Sequence, residues 1–454
     1  MKVTRLLTLA AALTVATGGT AAANGPDVGH RVKHLVVPSP IEGEPPRTVP
    51  VHLWYPATGL SHNAPRTVYT STLYDKDLAG VSDPLGWSVR SERAREGGTP
   101  RKNLDVIVFS HGSTNDPIDY AGTLEDIAAK GFLVAAPAHV NNTQDDVRID
   151  HFITDLAGPD LFRCADGRVP PCAAGYGVPR SMRDRVRDIS HTLDALEDWY
   201  GADTSQVGVM GHSRGTVTAL AAAGGSATWG VQPEGRVRAI FGMAIGAAAV
   251  TNAADLENVT VPTVLAGGGR DRNSVLQVSR DAFADLKSAD KLLVELPDAT
   301  HRSFDSDYCA QLRSAAERAA GNPDAKLDWH TIRLIGASAP GGLSGKAVHY
   351  CHARYFTPAV DAALRATANS EYPPQVAGDC AVTSLPCTGL DSDTVTDGMA
   401  DIAATFFKAA LGPGHAPYPP ALRPSMLTRR YDMIGAVQAA GAFCKPQPKE
   451  CPED

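Results

Sequence analysis

The sequence predicts an α/β fold with a mainly parallel central sheet and helices on both faces. Three observations predict it. From Leu104 onward short continuous apolar runs recur, as "LDVIVFS", "GFLVAAPAH", "QVGVMG", "RVRAIFGMAI", "VPTVLAGGG" and "KLLVELP". Unbroken runs of that length belong to strands buried on both faces. Helical patterns fill the intervals, and strand, helix, strand in alternation requires crossover connections, which make neighbouring strands parallel.

Taken in order, the chain opens with Lys2 and Arg5, an apolar run from Leu6 to Ala16, and Thr20-Ala21-Ala22-Ala23. That is the pattern of a secretory signal, residues 1–23, and it predicts a secreted, extracellular protein. The run is too short to span a bilayer, and no later stretch approaches the roughly 18 apolar residues of a membrane helix. Residues 32 to 37 and 49 to 55 read as an antiparallel hairpin around a Pro/Gly-rich turn. Tyr120, Leu124, Ile127 and Ala128 then recur on a helical period, with Gly131 as the stop. Met182, Val186, Ile189, Leu193 and Leu196 do the same, with charges expected on the opposite face. The last strong helical pattern, residues 397 to 411, places Met399, Ile402, Phe406 and Ala410 on one face before Gly412-Pro413 ends it. Stretches of about 140–178 and 305–396 are rich in Gly, Pro and Asp and read as insertions. Residues 24–412 are thus expected to form one domain, with 413–454 a C-terminal extension carrying a helix near 425 to 442.

Composition narrows the function. A 43% hydrophobic and 20% charged chain is that of a globular protein, and a net charge of −8 offers no basic surface for nucleic acid or anionic lipid. Small molecules, lipid esters or polymers remain as partners. The eight cysteines all follow the signal, and an even number in an oxidising compartment predicts disulfides. Spacing suggests Cys164 with Cys172, Cys380 with Cys387, Cys444 with Cys451, and by remainder Cys309 with Cys351, stapling the insertions. A metal site around His349-Tyr350-Cys351-His352 is disfavoured, because no second ligand pair accompanies it.

The chemistry gathers at "QVGVMGHSRGTVTALAAA", residues 206 to 223. An apolar strand runs into Gly211-His212-Ser213-Arg214-Gly215 and an Ala-rich helix leaves it. That is the context a G-x-S-x-G nucleophile elbow requires, since the bend forces the serine into a strained, exposed conformation while the glycines leave room for it. The Arg214 N–H at the helix start faces a developing oxyanion. A nucleophilic serine needs a base and a residue to orient it. The loop after "VPTVLAGGG" carries Asp271 and the loop after "KLLVELP" carries His301, so the chain order is Ser, Asp, His, that of an α/β-hydrolase. His139, His330, His349 and His352 compete with His301, and Asp298 competes with Asp271. The strand "LDVIVFS" ends in His111-Gly112-Ser113, where the Ser113 N–H is the expected second oxyanion donor. Gly267-Gly268-Gly269 lacks the pattern of a phosphate loop and reads as a turn.

Together "VHLWYPAT", "VIVFSHGS", "LEDIAAKGFLVAAPAH", "GHSRG" and "THRSF" resemble the secreted α/β-hydrolases that include platelet-activating-factor acetylhydrolases and dienelactone-hydrolase-like esterases. The resemblance covers most of residues 30 to 302 and the helix at 397 to 411. It implies an α/β-hydrolase fold, ester hydrolysis with Ser213, Asp271 and His301 as the triad, and no metal or organic cofactor. Arg214 stands where similar proteins often carry a bulky apolar or aromatic residue. Secreted polyester hydrolases share the fold but place an aromatic residue directly after the oxyanion glycine, where this chain has Ser113, so polymer hydrolysis ranks second. A peptidase or amidase with the same machinery, and a non-catalytic binding protein on the same scaffold, are the other classes. Both insertions begin on the sheet edge that holds the serine, and they are expected to wall the pocket.

Overall fold

The computed structural model describes residues 27–61, 63–70, 88–113, 115–140, 142–143, 178–246, 252–269, 271, 274–299, 301–305, 392–412 and 418–444. The signal segment and nearly all of both insertions lie outside them. So do Cys164, Cys172, Cys309, Cys351, Cys380, Cys387 and Cys451 of the expected pairings, and His330, His349 and His352. Cys444 lies inside and is disulfide-bonded. No described helix is long and apolar enough to cross a membrane.

Among the described residues twelve strands form one sheet: β1 (Val28–Val37), β2 (Arg47–Thr58), β3 (Arg66–Thr70), β4 (Ser88–Glu96), β5 (Thr99–Pro100), β6 (Asp105–Ser110), β7 (Phe132–Pro137), β8 (Val207–His212), β9 (Val237–Met243), β10 (Thr263–Gly268), β11 (Lys291–Leu296) and β12 (Ala436–Ala440). Their spatial order is β12-β11-β10-β9-β8-β6-β7-β2-β1-β4-β3, with β5 beside β2. The six strands from β7 to β11 in that row are mutually parallel. After β6 the chain moves outward to β7 and returns to β8 on the other side of β6. The order therefore reverses between β6 and β8, and it is at the carboxyl ends of such a pair that open α/β sheets form a crevice. This order and the elbow after β8 are those of an α/β-hydrolase fold.

Two apolar layers sandwich the sheet. On one face α1 (Ala121–Ala129) and the long helix Ser392–Leu411 pack over Phe109, Phe241 and Val294. On the other, α2 (Val178–Tyr200), α3 (Arg214–Gly224), a short turn of helix α4 (Ala253–Leu256) and α5 (Leu276–Asp285) cover Val108, Val209 and Leu265. We number the long helix α6. Its Phe407 ring lies against Gly208, where a Cβ would fall 2.5 Å from the ring carbons, so the glycine in β8 is a packing requirement.

Two expectations are corrected. The charges of α2 are not confined to a solvent face: Arg185 and Asp188 are fully buried, because they pair with Arg47 on β2, the His111 carbonyl just after β6 and His139 just after β7. The tail does not hold one helix from 425 to 442. A short helix, α7 (Pro424–Arg430), is followed by β12, antiparallel to β11. Gly435 makes this possible, since its N–H bonds the Glu295 carbonyl and a Cβ there would run into the Pro297 ring. Phe443 then stacks on Tyr418 with centroids 4.0 Å apart, within the core under α6.

Candidate active site

Ser213 stands between β8 and α3 with φ +54° and ψ −121°. Few residues other than glycine adopt that conformation, and the strain costs about 1–3 kcal/mol. The surrounding contacts impose it. The Ser213 N–H bonds the Met243 carbonyl at 2.9 Å, and the Ser213 carbonyl accepts from Gly246 N at 3.1 Å and Thr216 N at 3.0 Å. In a trans peptide N–H and C=O point oppositely, so the Arg214 N–H turns away from Gly246 and Thr216. Gly211 and Gly215 are spatial necessities. A Cβ on Gly211 would meet the Gly215 backbone and fall 2.6 Å from Thr216 N, and one on Gly215 would strike the Ser110 carbonyl.

Asp271 and His301 follow β10 and β11 and meet. His301 Nδ1 lies 2.7 Å from Asp271 Oδ2, and the other carboxylate oxygen accepts the Ser274 N–H at 2.7 Å. Both residues are buried. The carboxylate at His301 Nδ1 is thus that of Asp271, of the two the sequence offered. Of the glycine triplet, Gly267 and Gly268 end β10 and Gly269 begins the turn; a Cβ on Gly269 would fall 2.5 Å from the Pro297 carbonyl oxygen. The triplet lets the two loops lie together.

No hydrogen bond joins the Ser213 hydroxyl to the His301 ring among the described residues. Contact between the two loops runs through His212. Its Nε2 lies 3.0 Å from the His301 carbonyl oxygen, an acceptor only, so Nε2 carries the proton. In the neutral ring Nδ1 then accepts from the Tyr120 hydroxyl at 2.7 Å, which itself accepts the Gly112 N–H at 3.2 Å; Asp305 Oδ1 lies 3.5 Å from the same nitrogen. One relay thus ties the turn after β6, the elbow and the histidine loop. Gly112 is needed for space: a Cβ there would sit 3.0 Å from Asn115 Oδ1, 3.1 Å from Tyr120 Oη and 3.2 Å from His212 Nδ1.

Beneath that turn lies a second serine, histidine, aspartate set. Ser110 Oγ is 2.9 Å from His139 Nε2, and His139 Nδ1 is 3.0 Å from Asp188 Oδ2. Arg47 bonds the same carboxylate at 2.7 Å. All three members of the set are buried from solvent, so no carbonyl substrate reaches Ser110. Burial, with Arg185 and Arg47 nearby, holds the His139 imidazole well below the usual histidine range, and burial with Arg185 does the same for His111. Both are neutral. His111 Nε2 accepts the His139 N–H at 3.0 Å, which leaves Nδ1 to donate to the Gly112 carbonyl at 2.7 Å.

Ser213, Arg214, Gly211 and Gly215 are therefore contiguous at the β8–α3 bend, Asp271 and His301 are paired, and Ser113 follows β6 at the same edge of the sheet. The roles of Tyr120, His212, Arg185, His139 and Asp188 were not legible from sequence. His212 carried a local signal by lying inside the pentapeptide, and His139 was flagged only as a competitor of His301. No cluster of three metal-ligating side chains occurs among the described residues.

No family model and no curated protein sequence matches the chain. Among solved structures it is similar to a ferulic acid esterase from Streptomyces cinnamoneus, with 21% identity and a TM-score of 0.46 over 79% of this chain and 95% of that one. A cold-adapted esterase from an Arctic intertidal metagenomic library shares 17% identity, TM-score 0.35, over 61% and 86%. A dienelactone hydrolase from Anabaena variabilis shares 18%, TM-score 0.34, over 60% and 88%. The likenesses are partial, and the fold assignment stands on the sheet order.

Proposed function

We propose that this protein hydrolyses carboxylic esters of small molecules or lipids by acyl transfer through Ser213, and that it does so outside the cell. The observation that carries the reading is the backbone at Ser213, held in a costly conformation at the switch point of the sheet. Strain of this kind persists where surrounding contacts over-determine it and where function uses it.

In the proposed reaction Ser213 Oγ attacks the ester carbonyl while His301 Nε2 takes its proton. The Asp271 carboxylate, fixed by Ser274 N–H, accepts from His301 Nδ1. It thereby selects the tautomer that leaves Nε2 unprotonated and stabilises the imidazolium that forms. The hydroxyl and imidazole, not hydrogen-bonded in the free protein, close on each other when substrate is present, as such pairs commonly do. The N–H groups of Ser113 and Arg214 hold the oxyanion, each worth about 3–4 kcal/mol in the transition state. His301 then protonates the leaving alcohol, and water activated by the same imidazole releases the acid.

The test is labelling with a fluorophosphonate, together with turnover of nitrophenyl esters of increasing acyl length. Wild type should label and turn over, and Ser213→Ala should do neither. His301→Ala should lose turnover while His139→Ala, if folded, retains labelling. Absence of labelling in folded wild type would return the chain to the non-catalytic class.

A further inference from the structure

Arg185 is 1% exposed at the middle of α2, where sequence alone places a solvated charge. Its hydrogen bonds converge on the turn that follows β6. Nη1 donates to the His111 carbonyl at 2.8 Å and to Ser110 Oγ at 3.2 Å, and Nη2 donates to the Gly112 carbonyl at 3.1 Å. Nε donates to Asn142 Oδ1 at 3.0 Å, and Nη2 shares that oxygen. The acceptors in these bonds are uncharged. Burying a guanidinium is costly; here its fork satisfies the His111 and Gly112 carbonyls just after β6, and its charge also acts on the nearby Asp188 carboxylate.

The consequence follows from peptide geometry. The Gly112 carbonyl is held by Arg185 Nη2, by His111 Nδ1 at 2.7 Å and by the Asn115 N–H at 3.4 Å, all on the protein side. The N–H of Ser113 belongs to the same trans peptide and must point the opposite way, out of the turn. A cation bound to a peptide oxygen also draws electron density through the amide, which makes its N–H a stronger donor. We infer that Arg185 is a positioning residue for the oxyanion hole: it fixes the direction of the Ser113 N–H and strengthens it as a donor from behind the peptide. The inference rests on the acyl-transfer reading above. Ser110 Oγ–H, donating to His139 Nε2 while accepting from Arg185, extends the support to Asp188 and Arg47, so the guanidinium is anchored through β6, the turn after β7, and β2.

The test compares wild type, Arg185→Lys and Arg185→Met, with active sites counted by the burst of a nitrophenyl ester. Acylation is expressed per titrated site, and KM and inhibition by an alkyl boronic acid, whose serine adduct is tetrahedral and anionic, are measured alongside. Arg185→Met should lower acylation per site about 10–100-fold with KM changed less than threefold, and boronate affinity should fall by a similar factor. Arg185→Lys, which restores the charge without the fork, should lie between the two. If neither variant folds, Asn142→Ala, which loosens the guanidinium, should show the same pattern at about 3–10-fold. Fewer titratable sites with an unchanged rate per site would overturn the inference and leave Arg185 structural, and so would a loss confined to KM. A wild type that gives no burst and no fluorophosphonate label would instead sink the acyl-transfer reading itself.

Discussion

Replacing Ser213 by glycine should leave the protein more stable than replacing it by alanine. The Ser213 side chain makes no capping hydrogen bond, so either substitution removes a hydroxyl without stranding a buried partner. Alanine keeps the Cβ, and with it the cost of φ +54° and ψ −121°, about 1–3 kcal/mol. Glycine removes that cost but adds freedom to the unfolded chain, which returns about 0.4–1 kcal/mol. At mid-range, about 2 kcal/mol of strain less about 0.7 of chain freedom, the difference is about 1.3 kcal/mol in favour of glycine. Urea unfolding followed by tryptophan fluorescence reads this as a higher midpoint at unchanged slope, with alanine within about 0.5 kcal/mol of wild type. A glycine variant no more stable than alanine would mean the bend at 213 stores nothing, and the argument for a forced-out nucleophile would lose its foundation.

Asp271→Asn should lower kcat about 1,000- to 10,000-fold with the fold intact, because the amide no longer dictates the His301 tautomer; kinetics with a nitrophenyl ester measure it. Gly112→Ala presses on Asn115, Tyr120 and His212 at 3.0–3.2 Å and should lower acylation per titrated site at least about tenfold, through displacement of one oxyanion donor. His111 and His139 have folded pKa values depressed by burial, so the stability they contribute is present above their unfolded value near 6.5. It is lost as pH falls below that value, at about 1.4 kcal/mol per unit for each; urea midpoints between pH 7.5 and 5 should decline accordingly, and a flat profile would show the two rings are not held neutral. Phe443→Ala empties a buried site stacked on Tyr418 and should destabilise the whole domain by about 3–5 kcal/mol in the same unfolding assay.

The parallel strands were legible because burial on both faces demands unbroken apolar runs, as in Val106 to Phe109 and Leu292 to Val294. The strands β3 and β4 were not. In "SVRSERARE" the inward positions include Ser91 and Ala94, which look polar or neutral by pattern. They are buried because Glu125 accepts from Ser91 Oγ at 2.7 Å and from the Ala94 N–H at 3.3 Å, while the Tyr69 hydroxyl donates to its other oxygen. Burial pushes that carboxyl up. The elbow could be read since strand, bend and helix are adjacent in the chain, and chain order supplied Asp271 and His301. Arg185 could not be read, because nothing local marks a helical arginine whose acceptors lie 73 to 75 residues earlier, at Ser110 to Gly112. The tail misled for the opposite reason. An alanine-rich stretch favours helix locally, yet Ala436–Ala440 gains more by completing the hydrogen bonds of β11.

That last pairing orders events during synthesis. The segment that closes the outer flank of β11 and seats Phe443 beneath α6 is made after every other described element. Until it emerges from the ribosome, the growing polypeptide carries a bare strand margin and an unfilled aromatic socket, both adhesive to other chains. A message truncated shortly after codon 412 would therefore yield a product with every residue of the Ser213, Asp271 and His301 set and no means of sealing its own seam, destined for chaperones or aggregates.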